Sequence, residues 1–147
     1  MEVFMAIYSL SQRTIVTAAG GATWEIIPGA RRPRILEIGL SQVTAVAGTF
    51  GIGRPAAIGI DPTTPVLFQA ELQGDQAATS AAVVAWTTTP PTVPTVFFRR
   101  VTCPATIGAG FIFTFPRGLY CTPSTTSIVI WVIATAPVCD VWCVLDE

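Results

Sequence analysis

Ser127-Ile128-Val129-Ile130-Trp131-Val132-Ile133-Ala134-Thr135-Ala136-Pro137-Val138-Cys139-Asp140-Val141-Trp142-Cys143-Val144-Leu145 is the most apolar stretch of the chain, and its reading decides the fold. It approaches the ~20 apolar residues that a membrane-spanning helix needs. Pro137 and Asp140 interrupt it, however, and its density of Val, Ile and Trp suits extended backbone better than helix. The stretch therefore reads as two strands, Ser127 to Ala134 and Val138 to Leu145, joined at Thr135-Ala136-Pro137 by a hairpin or tight corner. The first of these is apolar on both faces from Ile128 to Ile133, unlike an antiparallel strand with one wet side. Either a loop of the chain covers the second face or a neighbouring subunit does. The sparse surface charge favours the subunit, with Ile128, Ile130, Trp131 and Val132 as the expected oligomer interface.

Working outward, helix signals are nearly absent, and 12 Pro and 12 Gly punctuate every stretch. Short β-prone runs recur at Phe4 to Leu10, Thr14 to Thr17 and Thr23 to Ile27. Arg34 to Gln42 is the clearest early strand, with Leu36, Ile38 and Leu40 on one face and Glu37, Gly39 and Ser41 on the other. Residues 45 to 65 are rich in Ala, Gly, Thr and Pro and hold only a weak strand at Ala56 to Ile60. Pro65 to Leu72, Ala82 to Thr87, Val96 to Thr102, Phe111 to Phe115 and Leu119 to Cys121 follow. About eight to ten short strands with Pro and Gly at the joints imply an all-β, single-domain antiparallel β-sandwich of jelly-roll or Greek-key path over residues 1–147. The three prolines of Thr88 to Pro94 forbid a central strand and favour an extended arm or surface loop.

Composition narrows the function. Hydrophobic residues make up 51% of the chain and charged residues only 12%, about half the usual charged share. Such a surface favours association. There is no His, Lys or Asn, and the net charge is -1. Without His or Lys, the Ser-His-Asp, Cys-His and Ser-Lys arrangements are excluded, which removes most hydrolase mechanisms. Residues 1 to 10 lack a basic start and a cleavage pattern, so no secretory signal is expected. Gly48-Thr49-Phe50-Gly51-Ile52-Gly53 has neither the Lys nor the helix of a phosphate-binding loop.

Cys103, Cys121, Cys139 and Cys143 contain no Cys-x2-Cys pair, so no metal site is expected. Cys139 and Cys143 share a strand face about 13 Å apart, too far for a mutual disulfide. A cross-strand bridge such as Cys103 with Cys121 stays open, but buried free thiols are the simpler reading. No spacing among Glu25, Glu37, Asp61, Glu71, Asp75 and Asp140 singles out a glycosidase pair. The arginines, Arg31-Arg32-Pro33-Arg34 and Arg99-Arg100 among them, read as partners for carboxylates within or between subunits rather than as a nucleic-acid patch. Trp24, Trp86, Trp131 and Trp142 read as core or interface anchors before sugar platforms.

The approach Arg32-Pro33 into the strand Arg34 to Ser41, the turn Phe115-Pro116-Arg117-Gly118-Leu119, and the closing strands ending at Leu145-Asp146-Glu147 resemble small jelly-roll capsid decoration, or cement, proteins of tailed bacteriophages. The resemblance implies a non-catalytic virion protein, made in the host cytoplasm and placed on the capsid exterior, without cofactor, nucleic acid or membrane. Its expected partners are itself, as a homotrimer, and the major capsid protein. An amino-terminal arm over residues 1 to 8, with Val3, Phe4 and Met5, is expected to reach the partner, together with Arg31, Arg32, Pro90, Pro91 and Pro94. The alternative is a phage tail or fibre component, or a carbohydrate-binding module for a host surface. Exposed Trp or Tyr beside carboxylates in a groove would favour it.

Overall fold

The computed structural model describes residues 5–15 and 20–147. Thirteen strands follow in chain order: β1 (Ile7–Arg13), β2 (Gly21–Ile27), β3 (Arg34–Gln42), β4 (Gly48–Gly53), β5 (Ile60–Pro62), β6 (Val66–Leu67), β7 (Gln69–Ala70), β8 (Ala81–Val83), β9 (Trp86–Thr89), β10 (Arg99–Cys103), β11 (Gly110–Tyr120), β12 (Ile128–Ala134) and β13 (Cys139–Asp146). They form two antiparallel sheets, ordered β11-β3-β13-β1-β7 and β10-β4-β12-β2-β8-β6, and a ribbon of β5 with β9.

The principal strands alternate between the sheets except from β4 to β10, which are neighbours in one: β1, β3, β11 and β13 lie in the first, β2, β4, β10 and β12 in the second. The first strand of the chain lies beside the last, Ile7 opposite Asp146. This is the winding of a jelly roll, and the all-β sandwich read from the sequence is the fold. The remaining five short strands belong to residues 54–98, one long excursion between β4 and β10.

The sheets enclose one core. Trp24, Ile26, Ile38, Leu40, Phe50 and Ile130 meet there, none more than 1% exposed. Trp24 donates its indole N–H to Gln12 Oε1 at 2.7 Å, so the largest core side chain also satisfies its one polar atom. Along β3 the inward residues are Ile35, Ile38 and Leu40, not Leu36. The register passes from Glu37 opposite Val144 to Ile35 opposite Leu145, so Leu36 is the extra residue of a bulge, which turns the face.

Two expectations change for the same kind of reason. The strands expected at Phe111 to Phe115 and at Leu119 to Cys121 are a single strand, β11, which ends at Tyr120 and whose register on β3 jumps between Thr114 and Leu119. The Pro116-Arg117-Gly118 segment is the bulge, with Gly118 at φ 71°, in the region that favours glycine. The apparently structureless Gly48 to Gly53 is a central strand between β10 and β12. A Cβ on Gly51 would lie 2.6 Å from the Phe97 ring, so glycine is what lets another layer rest on this sheet.

Candidate functional site: two open sides and a covered face

That layer comes from parts of residues 54–98, the ribbon of β5 with β9 and the segment around Phe97, which lie on the outer face of the second sheet. Ala22, Val129 and Trp131 form a second buried cluster with Trp86, Phe97 and Ile133 packed against it. The Phe97 and Trp131 rings meet edge to face at 5.7 Å. Ile128, Ile130, Trp131 and Val132 are therefore at most 1% exposed within a single chain. They cannot form the subunit interface expected of them. Ile128, Ile130 and Val132 join the inner core, and Trp131 lies under the chain's own excursion.

Glu25 fastens this cover. It points outward from β2 yet is 2% exposed. Oε1 accepts the Trp86 indole N–H at 3.0 Å, and Oε2 accepts Gly59 N–H at 3.2 Å and the Ser127 hydroxyl at 2.8 Å. Three donors from separate parts of the chain thus converge on one carboxylate, and no arginine pairs with it among the described residues. Sequence reading did not separate Glu25 from the other acids. The signal was an acid set between Trp24 and Ile26 within an apolar strand.

The expected partner-binding segments are also tied down. Val3 and Phe4 lie outside the described residues, whereas Met5 is exposed. Ile7 and Tyr8, however, are β1 residues and no arm: Tyr8 is buried and its hydroxyl donates to Gln76 O at 2.9 Å. The segment from Thr88 to Pro94 is no free arm either. Thr88 and Thr89 end β9, and Thr92 exchanges backbone hydrogen bonds with Ala56 and Ala57 at 3.0 and 2.9 Å. Pro90 is exposed, Pro94 half-buried and Pro91 buried.

Arg31 and Arg32 separate. Arg32 is exposed at φ 56° on the turn after β2. Arg31 is engaged inside the chain, donating to Gln76 Oε1 at 2.8 Å and standing 3.8 Å from Glu147. The Glu147 carboxylate is held by Thr79 and Ser80, including the Ser80 hydroxyl at 2.6 Å. A cleft of about 600 Å3 opens here between Met5, Tyr8, Arg31, Asp75 and Glu147. Its carboxylate at Glu147 is already saturated with donors.

The four cysteines are free and buried. Burial raises all four thiols, Cys139 to about 12, where the neighbouring Cys103 and Asp140 add to it. Cys143 goes well above its ordinary value, through burial first and then Cys121 and Glu37. A thiol held protonated and enclosed is a poor nucleophile. The native protein is expected to react with no thiol reagent on a timescale of minutes and to titrate all four after denaturation. Its melting temperature should be unchanged by a reductant. A fast-reacting native thiol, or a large drop on reduction, would contradict this assignment.

On the open face of the first sheet, Ile112, Gly39, Trp142 and Ser11 lie in one row across four strands. The Trp142 ring rests on Gly39, where a Cβ would lie 2.0 Å from the indole, and donates its N–H to Glu37 at 3.0 Å. A shallow cleft beside it is lined by Ser41, Gly110, Ile112 and Trp142.

The two open sides of the sandwich carry the remaining exposed chemistry. On one, where β10 and β11 are the edge strands, Arg99 reaches across to the rings of Phe113 and Phe115 at 5.9 and 5.3 Å. Arg54 donates to Tyr120 O at 2.7 Å and stacks on Phe98 at 5.5 Å. On the other side, β6 and β7 are two parts of one segment that passes from sheet to sheet, with Phe68 turned into the core. Searches against family models, curated proteins and solved structures found no match to this chain.

Proposed function

We propose that this protein is a non-catalytic structural component of a bacteriophage virion, a decoration subunit that associates with itself as a trimer and binds across major capsid subunits. The observation that carries the reading is the surface of the two open sides. Large apolar side chains are exposed on both, Tyr120 at 51% and Leu72 at 67% among them. The chain has only 12% charged residues to keep such a surface apart from others. Exposed apolar area of this kind marks an association surface. A subunit that binds the assembled shell and not its loosened form stabilises the shell by mass action, and needs no chemistry to do so.

Sedimentation velocity of the purified protein at micromolar concentration should show a trimer, and the protein should co-sediment with shells and raise the temperature at which they open. A monomer that leaves shells undecorated would reject the reading. The alternative, a tail component or carbohydrate-binding module, draws on Trp142, an aromatic platform beside Glu37 on an open sheet face. A glycan array decides between them. Retention on glycans that is lost in Trp142→Ala would favour the alternative, and no retention is expected.

A further inference from the structure

The two open sides differ in charge. Around β10 and β11 stand Arg54, Arg99, Arg100 and Arg117, and none of the four has a carboxylate partner among the described residues. Phe98 and Tyr120 are exposed between them, at 39% and 51%. Nη1 of Arg54 is enclosed and meets no acceptor within the described chain. The opposite side presents Val66, Leu67 and Leu72 outward with the exposed carboxylate of Glu71, and Asp75 follows in the next turn. The nearest arginine there, Arg31, is already occupied by Glu147 and Gln76.

We propose that these sides are the two halves of one head-to-tail contact between copies of this chain, the arginine and aromatic side of one subunit seating on the Glu71 and Leu72 side of the next. The inference rests on the self-association proposed above and names its contact. Arginine is the cation suited to such a seam, because its planar fork binds carboxylates bidentately and its face stacks on aromatic rings. A contact that joins unlike patches propagates until rotation closes it into a ring, and in a closed ring every subunit uses both sides once. This accounts for exposed apolar residues on both sides and for cations on only one.

The test compares the wild-type chain with Arg100→Glu/Arg117→Glu, with Glu71→Arg/Asp75→Arg, and with the protein carrying all four reversals. Arg100 and Arg117 are chosen because both are exposed and stack on no ring among the described residues. Near-ultraviolet circular dichroism checks folding, and sedimentation velocity reads mass. Each double reversal is expected to weaken assembly roughly tenfold or more by placing like charges face to face. The fourfold reversal should restore the wild-type mass, which loss of folding could not do. If a double reversal fails to fold, Arg100→Gln/Arg117→Gln takes its place, and added salt should dissociate the wild type and affect this variant less. An oligomer that survives both reversals overturns the contact and leaves self-association standing. Monomeric double reversals without rescue also overturn it. A monomeric wild type removes the contact and the self-association together.

Discussion

Glu25→Gln is expected to lower stability by about 2–3 kcal/mol, the cost of leaving enclosed donors without a charged acceptor. Glutamate offers two oxygens, and both are used: one by Trp86, the other by Gly59 and Ser127. Glutamine replaces one oxygen with an amide that is itself a donor. Whichever way the amide turns, it faces either the indole N–H or the pair formed by the Gly59 amide and the Ser127 hydroxyl. In a domain of this size the loss corresponds to a melting temperature lower by about 5–10 °C. The damage should begin locally, because these bonds hold the 54–98 excursion to the sheet. Hydrogen exchange should therefore rise first at Gly59 and its neighbours, with the β3 and β13 amides still protected. Uniform loss of protection across both sheets would show that the cover and the sandwich open as one unit.

Trp24→Ala is expected to cost about 3–5 kcal/mol, the range for removing a fully enclosed large aromatic from a core. The indole is 0% exposed and occupies the space between the sheets. Its removal also deprives Gln12 Oε1 of its donor at 2.7 Å. Trp24→Phe keeps most of the volume and should cost clearly less. Denaturant titration followed by tryptophan fluorescence measures both. Near-equal losses for the two substitutions would mean that the lost hydrogen bond, rather than the lost volume, governs the effect.

The strands that could be read from residues alone are those whose side chains declare a face. β3 shows its alternation, and β12 and β13 show continuous apolar runs broken at Pro137, so their bounds fall within a residue or two of the expected ones. β4 was illegible because its outward positions, Gly51 and Gly53, are small to accommodate a layer the sequence does not reveal. The same layer misled the reading of β12. Its two apolar faces were evident, but the residues covering the outer one, Trp86 and Phe97, lie in Pro- and Thr-rich stretches with no period. The excursion carries its cover as isolated aromatics, and isolated aromatics have no signature. Arginine pairing was half visible: Arg13 and Arg34 do find Asp140 and Asp146, and Arg13 holds the Asp140 carboxyl below its ordinary range through a hydrogen bond. That Arg54, Arg99, Arg100 and Arg117 gather on one side depends on the winding, which places β4, β10 and the bulged β11 together.

The pairing of β1 with β13 sets a clock on biosynthesis. β1 is translated early, but its main neighbour in the sheet is the strand ending at Asp146, so it waits on the ribosome without that partner. At about 5–20 residues per second, the wait lasts many seconds. β3 waits in the same way for β11 and β13. The nascent chain must therefore hold apolar strands unpaired until β13 emerges, and the sandwich closes in one slow step. Because β13 is the middle strand of the first sheet, a product truncated before residue 139 would lack it and be a substrate for proteases.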